Sequence, residues 1–392
     1  MTRIRHTAAV FAIGAAIVLA FAWSGAPDPQ AQGSAAPYYP DKWTWETRRP
    51  EQVGLSSDRL KEVADWAAKN EATIHRNGED LALAVVGEPY NDIVGPTMER
   101  GGQSGIVIRH GYIAFEWGDT SRVDWTFSAT KSYLATTIGL AYDAGLIRDL
   151  NDPVVNYVRD GNFDSPHNRK ITWVHLLQQS SEWQGTLWGK PDWADRYDGK
   201  ARRPVLEPGT KFTYNDVRVN VAALASLQVW RHPLPMVLKE RIMDPIDASP
   251  TWRWWGYDNS WVNVDGVKMQ SVAGGGHWGG GLWISARDHA RFGLLHLRRG
   301  KWKGRQLLSE KWIDMAMTPN GPSPNYGFMW WLNTNRGRLP SASPTSFWAA
   351  GGGGNVVWID RDLDMVVVTR WLPETDEVLK RVLAAVTQKT QR

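Results

Sequence analysis

The chain has 392 residues, 42% hydrophobic and 22% charged, with 37 Gly and 22 Pro. That near-average balance excludes collagen-like, low-complexity and wholly disordered classes. A formal charge of +4, with Arg3 and Arg5 in a candidate leader, argues against nucleic acid or an acidic membrane as the main partner, and zero cysteine removes thiol nucleophiles, disulfides, Cys-ligated zinc, iron–sulfur clusters and diacyl lipoprotein anchoring.

Arg3, Arg5 and His6 precede an uncharged apolar run from Thr7 to Trp23, followed by Ser24, Gly25 and Ala26. A basic start, an apolar stretch and a small-residue exit describe a secretory signal, cleaved after Ala26 and implying an exported, periplasmic or secreted protein. The run falls just short of the roughly 20 residues a spanning helix prefers, so an inner-membrane anchor through residues 7–23 stays open, as does a buried helix. Pro27 to Lys42 is rich in Pro and small residues, and residues 27–50 read as a linker.

Leu60, Val63, Ala64 and Ala67 fall at helical spacing and predict a helix from Ser57 to Lys69. Strand patterns follow through Ile106 to Ile108 and Ile113 to Phe115, with His110-Gly111 between them as a hairpin signal. A second helix, small and apolar on its faces and therefore buried, is expected from about Ser128 to Gly145. Residues 150–265 are rich in Trp, Asp, Asn and Pro, carry one good helical pattern at Val217 to Trp230, and read as a loop-rich helical lobe. Beyond it come a strand at Gly281 to Ile284, helices at Ala286 to Arg299 and Ser309 to Met317, strands at Asn355 to Ile359 and Met365 to Trp371, and a helix from Thr375 to Gln388. The fold class is α+β. An antiparallel sheet built from both chain ends, residues 51–149 and 266–392, is flanked by helices and carries the inserted lobe.

The sharpest chemical feature is Ser128-Ala129-Thr130-Lys131 at the start of the buried helix. Three residues apart on a helix puts both side chains on one face, so the ammonium reaches the hydroxyl. Free N–H groups at that helix start can stabilise an oxyanion, and desolvation favours the neutral, basic form of a buried lysine. Tyr214, after the Pro208-Gly209 turn and before a helix, offers a phenol for proton transfer, although a lone tyrosine is more often simply packed. Ala350-Gly351-Gly352-Gly353-Gly354 precedes a strand and would let a substrate or oxyanion approach the backbone, or is merely a flexible loop.

Taken together, Ser128-x-x-Lys131, Leu176-Leu177-Gln178-Gln179-Ser180-Ser181, Tyr214-x-Asp216 and the glycine turn entering a C-terminal strand resemble the serine β-lactamase and penicillin-binding-protein superfamily. The resemblance runs from about Glu51 to Val382 and is nearest the class C-like branch with family VIII esterases and 6-aminohexanoate-dimer hydrolases. It implies a β-lactamase/transpeptidase-like fold, acylation of Ser128, proton acceptance by Lys131 and proton relay by Tyr214. It also implies that Asp216, Gly351 and Gly352 serve substrate binding or the oxyanion, with the N–H of Ser128 and of Gly352 forming the hole. Two departures stand out. Asp216 replaces the usual Asn and, when ionised, only accepts hydrogen bonds. Ala349-Ala350-Gly351 lacks the Lys or His that usually begins the third element, which counts against β-lactamase and transpeptidase activity.

Competing signals are weaker. His277-Trp278-Gly279 is a second candidate for the third element. Gly274 to Gly279 satisfies a dinucleotide-binding glycine pattern without its acidic partner. Asp360 to Asp364 starts like a calcium loop but meets Met365 and Trp371 where Gly and Glu belong. No His-Glu-x-x-His and no Gly-x-Ser-x-Gly occur, which argues against a zinc hydrolase and an α/β-hydrolase. Of the 24 Trp, Trp183, Trp188, Trp193, Trp252, Trp254, Trp255 and Trp261 gather in the lobe, either as core or as the lining of a groove for an aromatic, acyl or sugar-bearing ligand. The expected protein is thus a serine hydrolase acting on a small ester or amide, with no metal or organic cofactor. A cell-wall D,D-peptidase or β-lactamase, and a non-catalytic binding protein on the same scaffold, are the alternatives.

Overall fold

Two runs of β-branched residues, Ile106-Val107-Ile108 and Val366-Val367-Val368, lie side by side in the middle of a six-stranded antiparallel sheet. The computed structural model that shows this describes residues 37–80, 90–195, 204–319 and 321–388. The leader expected over residues 1–26 lies outside the described residues, among which no helix is long and apolar enough to cross a membrane. The strands that frame the molecule are β1 (Ser104–Arg109), β2 (Tyr112–Trp117), β3 (Val123–Trp125), β4 (Arg253–Val264), β5 (Val267–Val272), β6 (Gly281–Ser285), β7 (Trp331–Leu332), β8 (Phe347–Gly351), β9 (Asn355–Asp360) and β10 (Met365–Arg370). The main helices are α1 (Ser57–Lys69), α2 (Thr130–Asp143), α3 (Asp216–Trp230), α4 (Ala286–Leu297) and α5 (Thr375–Ala384).

The large sheet has the order β7-β8-β9-β10-β1-β2. Ser104 stands opposite Arg370 and Arg109 opposite Met365, so the two ends of the chain meet in its centre, as the sequence implies. Ile106, Ile108, Val357, Ile359, Val366 and Val368 face one core, against α2 and α4. Val107, Val356, Trp358, Met365 and Val367 face the other, against Leu60 and Val63 of α1 and Val378 and Val382 of α5. With helices on both faces, β1, β9 and β10 are buried at every residue. That is why they read as unbroken apolar runs rather than alternating patterns. At the β1–β2 hairpin, His110 and Gly111 have φ of 53° and 89°, the left-handed pair a two-residue turn of this hand requires.

The structure departs from the sequence reading in three places. Residues 37–50 are not a free linker, because Tyr38 stacks on Tyr112 at 4.3 Å and Trp45 Nε1 donates to the Gly111 carbonyl at 2.8 Å. Thr47 also bridges Ile113, so this segment covers the outer edge of β2 and removes an open strand edge. The span 150–265 is not helical throughout. Its last part forms β4, which joins β5, β6 and β3 in a second sheet of order β3-β6-β4-β5. Tryptophans on both faces hid the period-two signal there: Trp254 is buried while Trp255 is 37% exposed. Finally, the helix expected from Ser128 opens with a 3-10 turn, Phe127–Ala129, and becomes α-helical at Thr130.

Polar ties hold the two sheets in register around the site. Arg370 of β10 donates to the Ile284 carbonyl of β6 at 2.6 Å, and the Trp371 indole donates to Asp124 of β3 at 2.7 Å. Buried groups of this kind must be hydrogen-bonded or they destabilise the fold, so the contacts fix the spacing between the sheets.

Candidate active site

Ser128 sits where β3 has ended and α2 has not yet begun. The residue before it, Phe127, has φ of 47°, a conformation that costs a non-glycine residue on the order of 1–3 kcal/mol. Stacking on Trp125 at 4.3 Å and an edge contact with Trp371 at 6.4 Å hold it there. The tight turn leaves Ser128 half-buried while Thr126 and Thr130 on either side are fully enclosed. One helical turn on, the Lys131 side chain is 1% exposed, and its Nζ donates to Ser128 Oγ at 2.8 Å. The spacing alone predicted this contact.

Tyr214 completes the group. Its phenol shares a hydrogen bond with Ser128, and Lys131 Nζ lies 4.6 Å from the centre of its ring. Burial pushes the phenol well above its ordinary value, the negative charge of Asp216 adds to this, and the Ser128 bond opposes it. At neutral pH Tyr214 is therefore a neutral phenol, able to donate a proton rather than to take one.

A bracket built from the Leu176 to Ser181 motif sets the tyrosine in place. Gln179, itself at φ 53°, accepts from Thr213 N through its carbonyl at 2.8 Å and from Asn215 N through Oε1 at 2.7 Å. Its Nε2 donates to the Tyr326 hydroxyl at 2.8 Å. Asn215 in turn caps α3, its Oδ1 accepting from Arg218 N at 2.9 Å. Tyr214 then stacks on Trp331 at 5.8 Å and meets Tyr326 edge-on, and Phe212 packs on Tyr326 at 4.9 Å. The result is an aromatic shelf beside Ser128. Sequence reasoning missed Tyr326 and Trp331, which come from a segment without a motif, and their aromatic character was the one signal that could have found them.

Asp216 is enclosed beneath the Ser128–Lys131 pair. As the first residue of α3 it is 1% exposed and points at α2, where Oδ1 accepts from Lys131 Nζ. Helix packing accounts for this, since the first turn of α3 abuts α2 and carries the carboxylate against the lysine. The Asp216 backbone N–H donates to Asp195, whose other carboxylate oxygen lies 3.3 Å from His277 Nε2. Sequence reasoning missed Asp195. Burial lowers the His277 imidazole to about 4, with the Asp216 charge pulling the other way, so it is uncharged at neutral pH. His277 is thus a buried neighbour of Asp195 and does not stand on the strand beside Ser128. The glycines before it have a packing reason: a Cβ on Gly275 would collide with both Asp216 Oδ2 and Lys131 Nζ.

Gly351 ends β8 and Gly352 follows it into the turn, alongside the Ser128 segment. A side chain at Gly351 would run into the Thr126 carbonyl and stand 3.1 Å from Ala129 N, while Gly352 crosses the Phe127 ring. Asn355 Nδ2 donates to the Gly352 carbonyl at 2.6 Å and fixes the turn. The residues before it, Ala349 and Ala350, place no cation at this strand. Among the described residues, no group of three or more His, Asp and Glu is placed to hold a metal ion.

Comparison with known proteins bears on the family and the fold. A family model described as Beta-lactamase matches residues 91–388. The 6-aminohexanoate-dimer hydrolase of Paenarthrobacter ureafaciens is 24% identical over 277 residues, spanning 62% of this chain and 64% of that protein. EstCE1, described as a hydrolase with promiscuous acyltransferase activity, superposes with a TM-score of 0.56 at 15% identity, over 85% of this chain and 98% of its own. A penicillin-binding protein homologue from Caulobacter crescentus gives a TM-score of 0.55 at 14% identity, over 85% of this chain and 99% of its own. At such identities the two structures speak to the fold. The family model covers most of the chain, and the protein belongs to the Beta-lactamase family as a hydrolase of that fold.

Proposed function

We propose that the protein is an exported serine hydrolase that cleaves an ester or amide through an acyl-enzyme on Ser128. The observation that carries this reading is the convergence on one hydroxyl of a buried ammonium, 2.8 Å away, and a neutral phenol. Ser128 Oγ attacks the carbonyl carbon as its proton leaves toward Lys131 Nζ, 2.8 Å away, the carbonyl electron pair moves onto oxygen, and the N–H groups of Ser128 and Gly352 receive the oxyanion. Tyr214 passes a proton to the leaving group as the tetrahedral intermediate collapses. Water then attacks the acyl carbon, one of its protons passes to Ser128 Oγ as the acyl–oxygen bond breaks, and the free serine and the product acid result.

Two features bear on the substrate. Ala349 and Ala350 ahead of Gly351 leave out the Lys or His that the third element usually offers a β-lactam or peptide carboxylate, which favours an esterase or amidase over a D,D-peptidase or β-lactamase of the same fold. The shelf of Phe212, Tyr214, Tyr326 and Trp331 suits an apolar acyl or leaving group. A pure binding protein has no need of Ser128, Lys131 and Tyr214 in contact.

Incubation with a fluorophosphonate ester tests the nucleophile. The expected result is one adduct per chain, found by mass spectrometry on the peptide that carries Ser128; an adduct elsewhere, or none, overturns the reading. Export rests on the basic start and apolar run of the sequence, with a membrane anchor through residues 7–23 as the other form of it. N-terminal sequencing of protein recovered outside the cytoplasm is expected to begin at Pro27, and protein found only in the cytoplasm would refute export.

A further inference from the structure

An acyl-enzyme on Ser128 requires a base for the serine proton, and this inference rests on that reading of Ser128. Tyr214 is poorly suited to the task, because its phenolate is opposed both by burial and by the negative charge of Asp216. Lys131 alone is also poorly suited. Its Nζ is buried and donates both to Ser128 Oγ and to Asp216 Oδ1, and an ammonium paired with a carboxylate has no lone pair to offer.

The carboxylate itself has an unusual setting. Asp216 is 1% exposed, Oδ1 is engaged by Lys131, and Oδ2 has no hydrogen-bond partner among the described residues. Its side chain is therefore directed at a single group, the lysine. The charged or titratable groups around the pair are Tyr214 from the segment before α3, Asp195 beneath the Asp216 amide, His277 from the glycine loop, and Lys190 farther out. Tyr257 and Tyr326 also feel the Asp216 charge. None of them contacts Ser128 Oγ except Tyr214.

We propose that Lys131 and Asp216 act as one base, Asp216 working through Lys131 as the residue that positions and holds the proton. One Nζ proton passes to Asp216 Oδ1, which leaves a neutral amine beside Ser128. As Oγ forms its bond to the carbonyl carbon, the Oγ–H proton moves to Nζ, and the pair then holds one proton more than before. When the intermediate collapses, Tyr214 gives its proton to the departing oxygen or nitrogen, Lys131 restores the tyrosine proton, and Asp216 returns its own to Lys131. The serine proton leaves on the product and the pair ends as it began.

The arrangement predicts an acid limb for kcat/KM that belongs to a carboxylate beside an ammonium rather than to a lysine. Adding a proton to the resting pair blocks it, because neither partner then has a lone pair to take the serine proton. With p-nitrophenyl acetate as substrate, the wild-type acid limb is expected on the acid side of the limb of Asp216→Asn. In Asp216→Asn the lysine must act alone, and the limb should move up by more than about one unit, toward the pH of about 7–8 at which buried general-base lysines lose their proton. Asp216→Glu should keep the low limb, a rescue that a purely structural role does not provide. A wild-type limb at or above neutrality, or a limb unmoved in Asp216→Asn, overturns the proposal. If Asp216→Asn turns over too slowly to be profiled, the wild-type limb decides alone. Fluorophosphonate labelling of Ser128 separates the two readings: a labelled serine with an unmoved limb removes only the shared base, while an unlabelled serine removes the nucleophile and the base with it.

Discussion

Ser128→Ala is expected to lower kcat/KM for p-nitrophenyl acetate by at least about ten-thousandfold, since loss of a nucleophile removes the covalent route and leaves only substrate binding and the oxyanion donors. The fold should tolerate the change. Ser128 is half-buried at the cleft, no backbone group of the turn depends on its hydroxyl, and the strained Phe127 is held by its neighbours' rings rather than by the serine. Melting within about 3 °C of wild type is therefore expected, a shift of the size that on the order of 1 kcal/mol gives in a chain this long. Lys131 would lose one acceptor but keep Asp216, so its charge stays compensated. Activity equal to wild type in a well-folded Ser128→Ala protein would place the chemistry elsewhere in the molecule.

What could be read from the sequence followed from how local each interaction is. Ser128 and Lys131 are three residues apart, and helix geometry alone brings them together. The sheet built from both chain ends was legible for a related reason, because β1, β9 and β10 are buried on both faces and so keep apolar character at every position. The partner of Asp216 was not legible. Lys131 and Asp216 are 85 residues apart, and their contact depends on how α2 and α3 pack, which no periodicity encodes. Composition also misled where it outweighed pattern. Prolines made residues 37–50 look like a linker, although Tyr38 and Trp45 were already the kind of side chains that seal a sheet edge. The glycines at Gly274 to Gly276 matched a phosphate-binding pattern by letters, yet the requirement they meet at Gly275 is room for the Lys131–Asp216 pair.

Lys131→Met separates stability from chemistry at the same pair. Methionine is close to lysine in length and fills the space, but it removes the only hydrogen bond made by the Asp216 carboxylate among the described residues. Breaking a buried pair by deleting one partner costs about 3–5 kcal/mol, because the remaining charge is left without compensation in the interior. Both side chains here are almost wholly enclosed, at 1% and 2% exposed, so solvent gives little relief. The pH dependence of that loss has a definite sign. With the ammonium gone, burial favours the protonated carboxyl, so the folded variant binds a proton more readily than the unfolded chain, whose carboxylates titrate near about pH 3.9. Stability of the variant therefore falls as pH rises from that value, and its deficit relative to wild type shrinks as pH is lowered toward about 4. Thermal melts of both proteins between neutral and acid pH test this directly; a deficit that stays constant would mean that Asp216 is not left as a buried, uncompensated charge. With Lys131 taking the serine proton as proposed, ester turnover should fall by about a hundred- to ten-thousandfold. That loss should persist at acid pH even where stability recovers, because neutralising Asp216 restores the fold but supplies no base to Ser128.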